Sequence, residues 1–150
     1  MDITIKETKH FEEADAIAKS SHDYFETGFE QLIKDVRSHI LYGAFIGEKM
    51  VGFITYKIVS EGVVEISWLA VAPECRQKGI GTKLVTDTLK NLKTKYQMCE
   101  VKTLAETHPD LGYAKTRNFY KKLGFVSLEI IDPYPAWGKN NPCQIFVKAL

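Results

Sequence analysis

The first half of the chain alternates between strand-like and helix-like patterns of apolar residues. Ile3 to Lys6 alternates in the manner of a short strand. Two helices are then predicted by apolar residues that recur on one helical face, namely Phe11, Ala14, Ile17 and Ala18 in the first and Phe25, Phe29, Leu32, Ile33 and Val36 in the second. Leu41 to Ile46 and Met50 to Ser60 predict antiparallel strands around the turn Gly47-Glu48-Lys49, and Val63 to Val71 predicts the next strand.

The second half begins with a helical stripe after Pro73, formed by Ile80, Leu84, Val85, Leu89, Leu92 and Tyr96. Met98 to Leu104 predicts a strand, and Pro109-Asp110 introduces a helix from about Gly112 to Leu123. Phe125 to Ile131 and Gln144 to Val147 predict two last strands, on either side of a loop rich in proline, glycine and asparagine. Because hairpin and crossover connections are mixed, the pattern predicts an α+β domain with a mixed sheet.

Length, composition and charge narrow the class of protein. The 150 residues fit a single domain spanning 1–150, and a net charge of +1 offers no basic face for nucleic acid. There is no apolar run of about 18 residues, which predicts a soluble protein with no membrane span. Cys75, Cys99 and Cys143 show neither a disulfide framework nor paired metal-ligand spacing, so we expect reduced thiols in a cytoplasmic protein without a metal site.

A glycine-bearing loop in the middle of the chain predicts an anion-binding site. The loop Arg76-Gln77-Lys78-Gly79-Ile80-Gly81 joins the strand that ends at Val71 to a helix, whose first backbone N–H groups lack internal partners. The alternative is a plain strand-to-helix turn with solvated basic residues. Two other phosphate loops do not fit, since the dinucleotide fingerprint needs a glycine where Leu84 stands and the Walker loop needs Gly-Lys-Ser/Thr rather than Gly81-Thr82-Lys83.

The same loop resembles the Arg/Gln-x-x-Gly-x-Gly/Ala signature of the GNAT superfamily, the acyl-CoA-dependent N-acetyltransferases. The preceding Leu69-Ala70-Val71-Ala72-Pro73 and the later Asn118-Phe119-Tyr120-Lys121-Lys122-Leu123-Gly124-Phe125 are similar to two further segments of that family. The resemblance implies a three-layer α/β/α domain, with a central, mostly antiparallel sheet of about 6–7 strands. It also implies transfer of an acetyl group from acetyl-CoA to an amine.

The resemblance further implies which residues contact acetyl-CoA. The pyrophosphate would be held by backbone amides of the loop, namely those of Arg76, Gln77, Lys78, Gly79, Ile80, Gly81 and Thr82. Leu69, Ala70 and Val71 would pair with the pantetheine arm as with an added strand, and the Val71 amide would polarise the thioester carbonyl. Asn118 and Lys121 are candidate contacts for the adenosine end. The chain departs from many members by having Tyr113 and Thr116 where they carry Asn and Ala.

Two residues are candidates for the proton transfers that amine acetylation needs. A protonated amine has no lone pair, so a base is required, and the strand residue Glu65 matches the family's base position. Apolar neighbours and few positive partners would raise its pKa, although it could equally lie on a solvated face. Tyr120 matches a family tyrosine near the coenzyme sulfur, and its phenol could protonate the departing thiolate. The alternative is a core aromatic, as we expect for Phe119.

The acceptor substrate is the part of the proposed reaction about which the sequence says least. The family places it between the first helices and the late loops, where this chain offers Tyr24, Phe25, Glu106, His108 and Trp137, with Asp23, Glu26, Asp110 and Tyr134 nearby. Carboxylates with aromatics suit a cationic amine of a small molecule or peptide, but also an ordinary surface. His108 is an alternative base or a loop residue, and Cys75 is a bystander.

Other classes of function also stay open. One alternative is a non-catalytic acyl-CoA-binding module used for sensing or regulation. O-acylation or a longer acyl donor would keep the same fold. Edge strands also make a homodimer reasonable.

Overall fold

The computed structural model describes residues 2–21, 28–109 and 112–150. Within these ranges the chain forms seven strands and four α-helices. In chain order they are β1 Thr4–Glu7, α1 Phe11–Ser20, α2 Phe29–Ser38, β2 Ile40–Ile46, β3 Lys49–Ser60, β4 Val63–Val71, α3 Ile80–Leu92, β5 Met98–Leu104, α4 Gly112–Lys122, β6 Val126–Ile131 and β7 Cys143–Ala149. Two single turns of 3₁₀ helix lie at Pro73–Cys75 and Pro135–Trp137.

The seven strands form one mixed sheet in the order β1-β2-β3-β4-β5-β7-β6. The β4–β5 pair is parallel, and the other five pairs are antiparallel. The parallel pair is joined by α3, as a crossover connection requires. The sheet confirms the expected α+β class and the mostly antiparallel sheet of about seven strands.

Helices cover both faces of the sheet. On the face that we call the α1/α2 face, Leu32 and Val36 pack with Phe53 in a buried cluster. On the opposite α3/α4 face, Leu84 and Tyr120 belong to a second and larger cluster. Because strand side chains alternate between the faces, strands β2, β3 and β4 each have residues in both clusters, and burial of both sets holds the three layers together.

Strands β4 and β5 pair over only the first part of their length. The parallel register joins Val63–Ile66 to Met98–Val101 and then stops, although β4 continues to Val71 and β5 to Leu104. We call the unpaired region between residues 67–71 and 102–104 the β4–β5 opening. A β-bulge lies at the same point, because Tyr56 faces Ile66 while Thr55 faces Trp68, which leaves Ser67 opposite no residue of β3.

Hydrogen bonds from two other elements hold the bulge. The Ser67 hydroxyl lies 2.8 Å from His39 Nδ1 and 2.7 Å from Thr55 Oγ1. His39 follows α2, and its Nε2 is 3.5 Å from Asp35 Oδ1, while Trp68 donates its indole N–H to Asp35 Oδ2 at 2.8 Å. Burial lowers the pKa of His39, while the charge of Asp35 opposes this shift. The bulge is therefore anchored to the end of α2.

The predicted elements match the observed ones closely. The final strand is two residues longer at its C-terminal end than predicted, ending at Ala149. Helix α2 begins at Phe29, whereas the predicted Phe25 lies outside the described residues. Tyr96 is buried beyond the end of α3, in the turn before β5. None of the described helices has both the length and the apolar character that a membrane span requires.

Candidate active site

The loop between β4 and α3 has the backbone shape of an anion-binding turn. Gln77 and Gly79 both adopt positive φ angles, 62° and 77°. Gly79 is the N-cap of α3 and has no capping side chain, and the first helical bond runs from the Lys83 N–H to the Gly79 carbonyl. The amides of Ile80, Gly81 and Thr82 precede that bond, so they have no acceptor within the helix and can bind an external anion.

Arg76 ties this loop to neighbouring elements. Its guanidinium donates to Ser21 Oγ at 2.7 Å and, more weakly, to the Val71 carbonyl at 3.4 Å. These two bonds connect Arg76 to the ends of β4 and α1. Lys78 is exposed in the loop itself.

The β4–β5 opening leads directly into the loop. Leu69, Ala70 and Val71 pair with Ile54, Phe53 and Gly52 of β3 on one side. On the other side, the pairing of β4 with β5 has already ended at Ile66, and no other described strand takes its place. This edge of β4 is therefore available for main-chain hydrogen bonding, and the pairing of Leu69 to Val71 with an extended ligand stays a prediction.

Helix α4 packs beside the loop and carries Tyr120. A side chain at Gly81 would come within 3.6 Å of the Phe119 ring, so the first turn of α3 adjoins α4. Tyr120 is buried and packs edge-on against Phe119 and Phe125. Burial raises the pKa of the Tyr120 phenol further above its usual value, so the phenol keeps its proton at neutral pH. Asn118 and Lys121 are exposed on the same helix.

Glu65 belongs to a cluster that the sequence did not reveal. It faces Glu100 in the parallel register, and Lys102 Nζ lies 2.9 Å from Glu65 Oε1 and 3.6 Å from Glu100 Oε2. The expectation that Glu65 has few positive partners is therefore wrong. Burial, together with the hydrogen bond and charge of Glu65, raises the pKa of Glu100 to about 7, although Lys102 opposes this shift.

Two aromatic residues of the β6–β7 loop border this cluster. The Tyr134 ring centroid is 5.7 Å from Lys102 Nζ, and Tyr134 packs edge-on against Trp137 at 5.1 Å. Of the predicted acceptor residues, Trp137 is thus connected to the carboxylates. Glu106 and His108 lie in the turn after β5, where their backbone N–H groups bond to Gln144 Oε1 and the Ala105 carbonyl. Tyr24 and Phe25 lie outside the described residues.

Sequence reasoning missed Glu100 and Lys102 as site residues. Both are polar residues that flank Val101 in a strand, which predicts that they share a face opposite to it. That alternation was the available signal. It could not show which residue of β4 they would face.

The chain belongs to the acetyltransferase (GNAT) family, whose model matches residues 5–125. The match confirms the resemblance seen in the sequence, and the co-substrate of the family is acetyl-CoA, as expected. No curated protein matches the chain significantly.

Solved structures share the fold at low sequence identity. A GNAT-family protein from Desulfovibrio desulfuricans is 16% identical with a TM-score of 0.85, over 99% of both chains. A GNAT-family acetyltransferase from Elizabethkingia anophelis with acetyl-CoA bound is 18% identical with a TM-score of 0.75, over 99% of this chain and 98% of that one. The aminoglycoside 6'-N-acetyltransferase from Enterococcus faecium is 19% identical with a TM-score of 0.76, over 97% and 96%.

The positive φ of Gly79 provides a test of the loop. Gly79→Ala places a side chain in open space but in a left-handed conformation, which costs about 1–2 kcal/mol and favours a rearranged loop. We expect acetyl-CoA binding, measured by calorimetry, to weaken by about tenfold or more. Gly47→Ala is the matched control, because Gly47 has φ +60 and open space but lies in the β2–β3 turn. Equal acetyl-CoA affinity in the two variants would contradict a role for the loop.

Proposed function

We propose that this protein transfers an acetyl group from acetyl-CoA to a primary amine of a small molecule or peptide by direct attack in a ternary complex. The observation that carries the proposal is the continuity of three features along β4. The anion-binding loop follows its C-terminal end, the β4–β5 opening lies along its unpaired edge, and Glu65 lies just before that opening. A nucleotide, an extended arm and a reacting amine would be placed in that order.

The chain would hold acetyl-CoA largely through its backbone. Amides of residues 76–82 would bind the pyrophosphate, and Leu69 to Val71 would pair with the amide groups of the pantetheine arm. Asn118 and Lys121 are exposed on α4 and are available to the adenosine end. Acetyl-CoA supplies the activated thioester. The Val71 N–H would stabilise the negative charge that develops on its carbonyl oxygen.

Glu65 and Glu100 would act as a carboxyl pair that accepts the proton of the amine. Lys102 Nζ lies closer to Glu65 than to Glu100. Glu100, whose pKa is about 7, is the member that would exchange a proton near neutral pH. The neutral amine would then attack the carbonyl carbon, and the C–S bond would break as the Tyr120 hydroxyl donates its proton to the thiolate. The nitrogen would lose its remaining extra proton to solvent as the amide forms, and solvent would return a proton to Tyr120.

Calorimetric titration with acetyl-CoA, with desulfo-CoA and ATP as controls, tests the proposal. We expect micromolar affinity for acetyl-CoA that depends on the pantetheine arm. A screen for thiol release should then identify amines that are acetylated. Binding without thiol release for any amine would favour a non-catalytic acyl-CoA-binding module. No binding to any coenzyme A species would contradict both readings.

Tyr120→Phe tests the proposed acid. The variant keeps the ring contacts with Phe119 and Phe125 but removes the proton donor, so kcat should fall by about 10²-fold with little change in acetyl-CoA affinity. Tyr56→Phe is the matched control, since Tyr56 is also buried but its hydroxyl bonds to Thr88. That control should lose stability rather than kcat. An unchanged kcat in Tyr120→Phe would show that another group protonates the thiolate.

The pH profile tests the carboxyl pair. The pKa of Glu100 is raised, so its carboxylate exists above about pH 7, and kcat/KM should rise with pH through that value. In Glu100→Gln the rise of kcat/KM with pH should disappear. Glu65→Gln should lower kcat/KM at every pH. Among the described residues, the titratable groups around Glu100 are Glu65 on β4, Lys102 on β5 with Tyr134 beside it, and the buried thiols of Cys99 and Cys143.

The pH dependence of the free energy of unfolding is an independent test of the raised pKa of Glu100. The pKa of Glu100 is higher in the folded state, at about 7, than its unfolded value near 4.5. Its contribution to the free energy of unfolding is therefore complete below about pH 4.5 and is lost as the pH rises through about 7. The free energy of unfolding of the wild type should therefore decline relative to Glu100→Gln between pH 5 and 8. Glu129→Gln, at an exposed position on β6, should show neither effect. Identical pH profiles of wild type and Glu100→Gln would exclude Glu100 from proton transfer.

A further inference from the structure

The acceptor side of the proposed site already contains a cation, the ammonium group of Lys102. Its Nζ lies 2.9 Å from Glu65 Oε1 and 3.6 Å from Glu100 Oε2. The Tyr134 ring centroid is 5.7 Å from the same nitrogen. Two carboxylates and an aromatic ring are the groups that would bind a protonated amine. In this protein one of its own side chains occupies that position.

Lys102 keeps its proton at neutral pH, so deprotonation does not release it from the two carboxylates. Burial alone would lower the pKa of the ammonium, but the hydrogen bond and charge of Glu65, together with Tyr134, raise it above the usual range. The Lys102 side chain is also the most exposed of the three, at 26% against 14% for Glu65 and 19% for Glu100. An acceptor that approaches the carboxylates from solvent therefore meets a positive charge as well.

The charge balance of the cluster limits its attraction for cations. Lys102 cancels the charge of one carboxylate, and Glu100, with a pKa of about 7, carries only part of a second charge at neutral pH. The three-residue cluster thus carries at most one net negative charge, which can balance no more than one ammonium group.

We propose that Lys102 is a specificity residue that limits the acceptor to amines with a total charge of no more than +1 and excludes polyamines and other polycationic amines. This inference rests on the proposed function, because it concerns the acceptor of the same reaction. A second ammonium on the acceptor would be repelled by Lys102 at short range. A carboxylate at the far end of the acceptor would be attracted to it.

Amines of one chain length and different charge test the proposal. They are 4-aminobutanoate with no net charge, butylamine with one positive charge and 1,4-diaminobutane with two. Spermidine, which is longer and carries three positive charges, extends the series. Affinity for the coenzyme A-loaded protein is measured by calorimetry, and kcat/KM by thiol release. Lys102→Met should bind spermidine at least about tenfold more tightly than the wild type and should lose relative preference for 4-aminobutanoate. Lys102→Arg should keep the wild-type order.

Two controls separate charge selection from a purely structural role. Lys57→Met removes a cation that also faces Glu65 but makes no ion pair with it in the described structure, and it should keep the wild-type order of acceptors. Lys102→Gln is a second uncharged variant if Lys102→Met fails to fold. Acetyl-CoA affinity and thermal unfolding are measured for each variant, so that a general loss of structure is recognised.

The outcomes distinguish this inference from the proposed function. Equal spermidine affinity of the wild type and Lys102→Met, including no measurable binding to either, would overturn the role of Lys102. So would a wild-type enzyme that prefers spermidine to butylamine, although acetyl-CoA turnover would then stand. Failure of the wild type to bind acetyl-CoA would remove the proposed function and this inference together.

Discussion

The functional geometry of this protein depends on the point at which β4 and β5 stop pairing. Their register ends with Ile66 opposite Val101, one residue before the bulge at Ser67. Carboxylates of both strands lie in the last paired rows, and Lys102 is the first residue of β5 beyond them. If the two strands paired over their whole length, main-chain hydrogen bonds would use the edge of β4 that an extended ligand needs.

The bulge at Ser67, which lies where β4 and β5 stop pairing, is anchored from the α1/α2 face. His39 follows α2 and contacts Ser67, while Asp35 of the same helix contacts both His39 and the Trp68 indole. These bonds connect the bulge to a helix that is itself packed into a buried cluster through Leu32 and Val36. Because bulged residues lose a ladder partner, side-chain partners of this kind stabilise the irregular backbone. The site is thus supported by elements that precede β4 in the chain.

Much of the fold could be predicted because its elements have clear periodicity. The stripe of Ile80, Leu84 and Leu89 predicted α3, and the two glycines at positions 79 and 81 predicted the loop before it. The neighbourhood of Glu65 could not be predicted. Glu100 is 35 residues away in sequence, and only the parallel register brings the two carboxylates together.

The bulge and the acceptor residues were also beyond local sequence patterns. Ser67 lies in a continuous run of strand type with no glycine or proline to mark an irregularity, and its partner His39 belongs to another element. Trp137 was selected by residue type and position, but its connection to the carboxylates passes through Tyr134 and Lys102. Such chains of contact depend on how loops pack onto a finished sheet.

The burial of the three cysteines affects how the protein reacts with thiol reagents. All three are buried, and burial raises the pKa of Cys99 to about 12 and that of Cys143 to about 11. Since the thiolate is the reactive form of cysteine, at least these two side chains are nearly inert toward oxidants and disulfides at neutral pH. A small free thiol in solution would react with such reagents much faster than Cys99 and Cys143 do. Cys99 and Cys143 should therefore add little background to an assay that follows thiol formation.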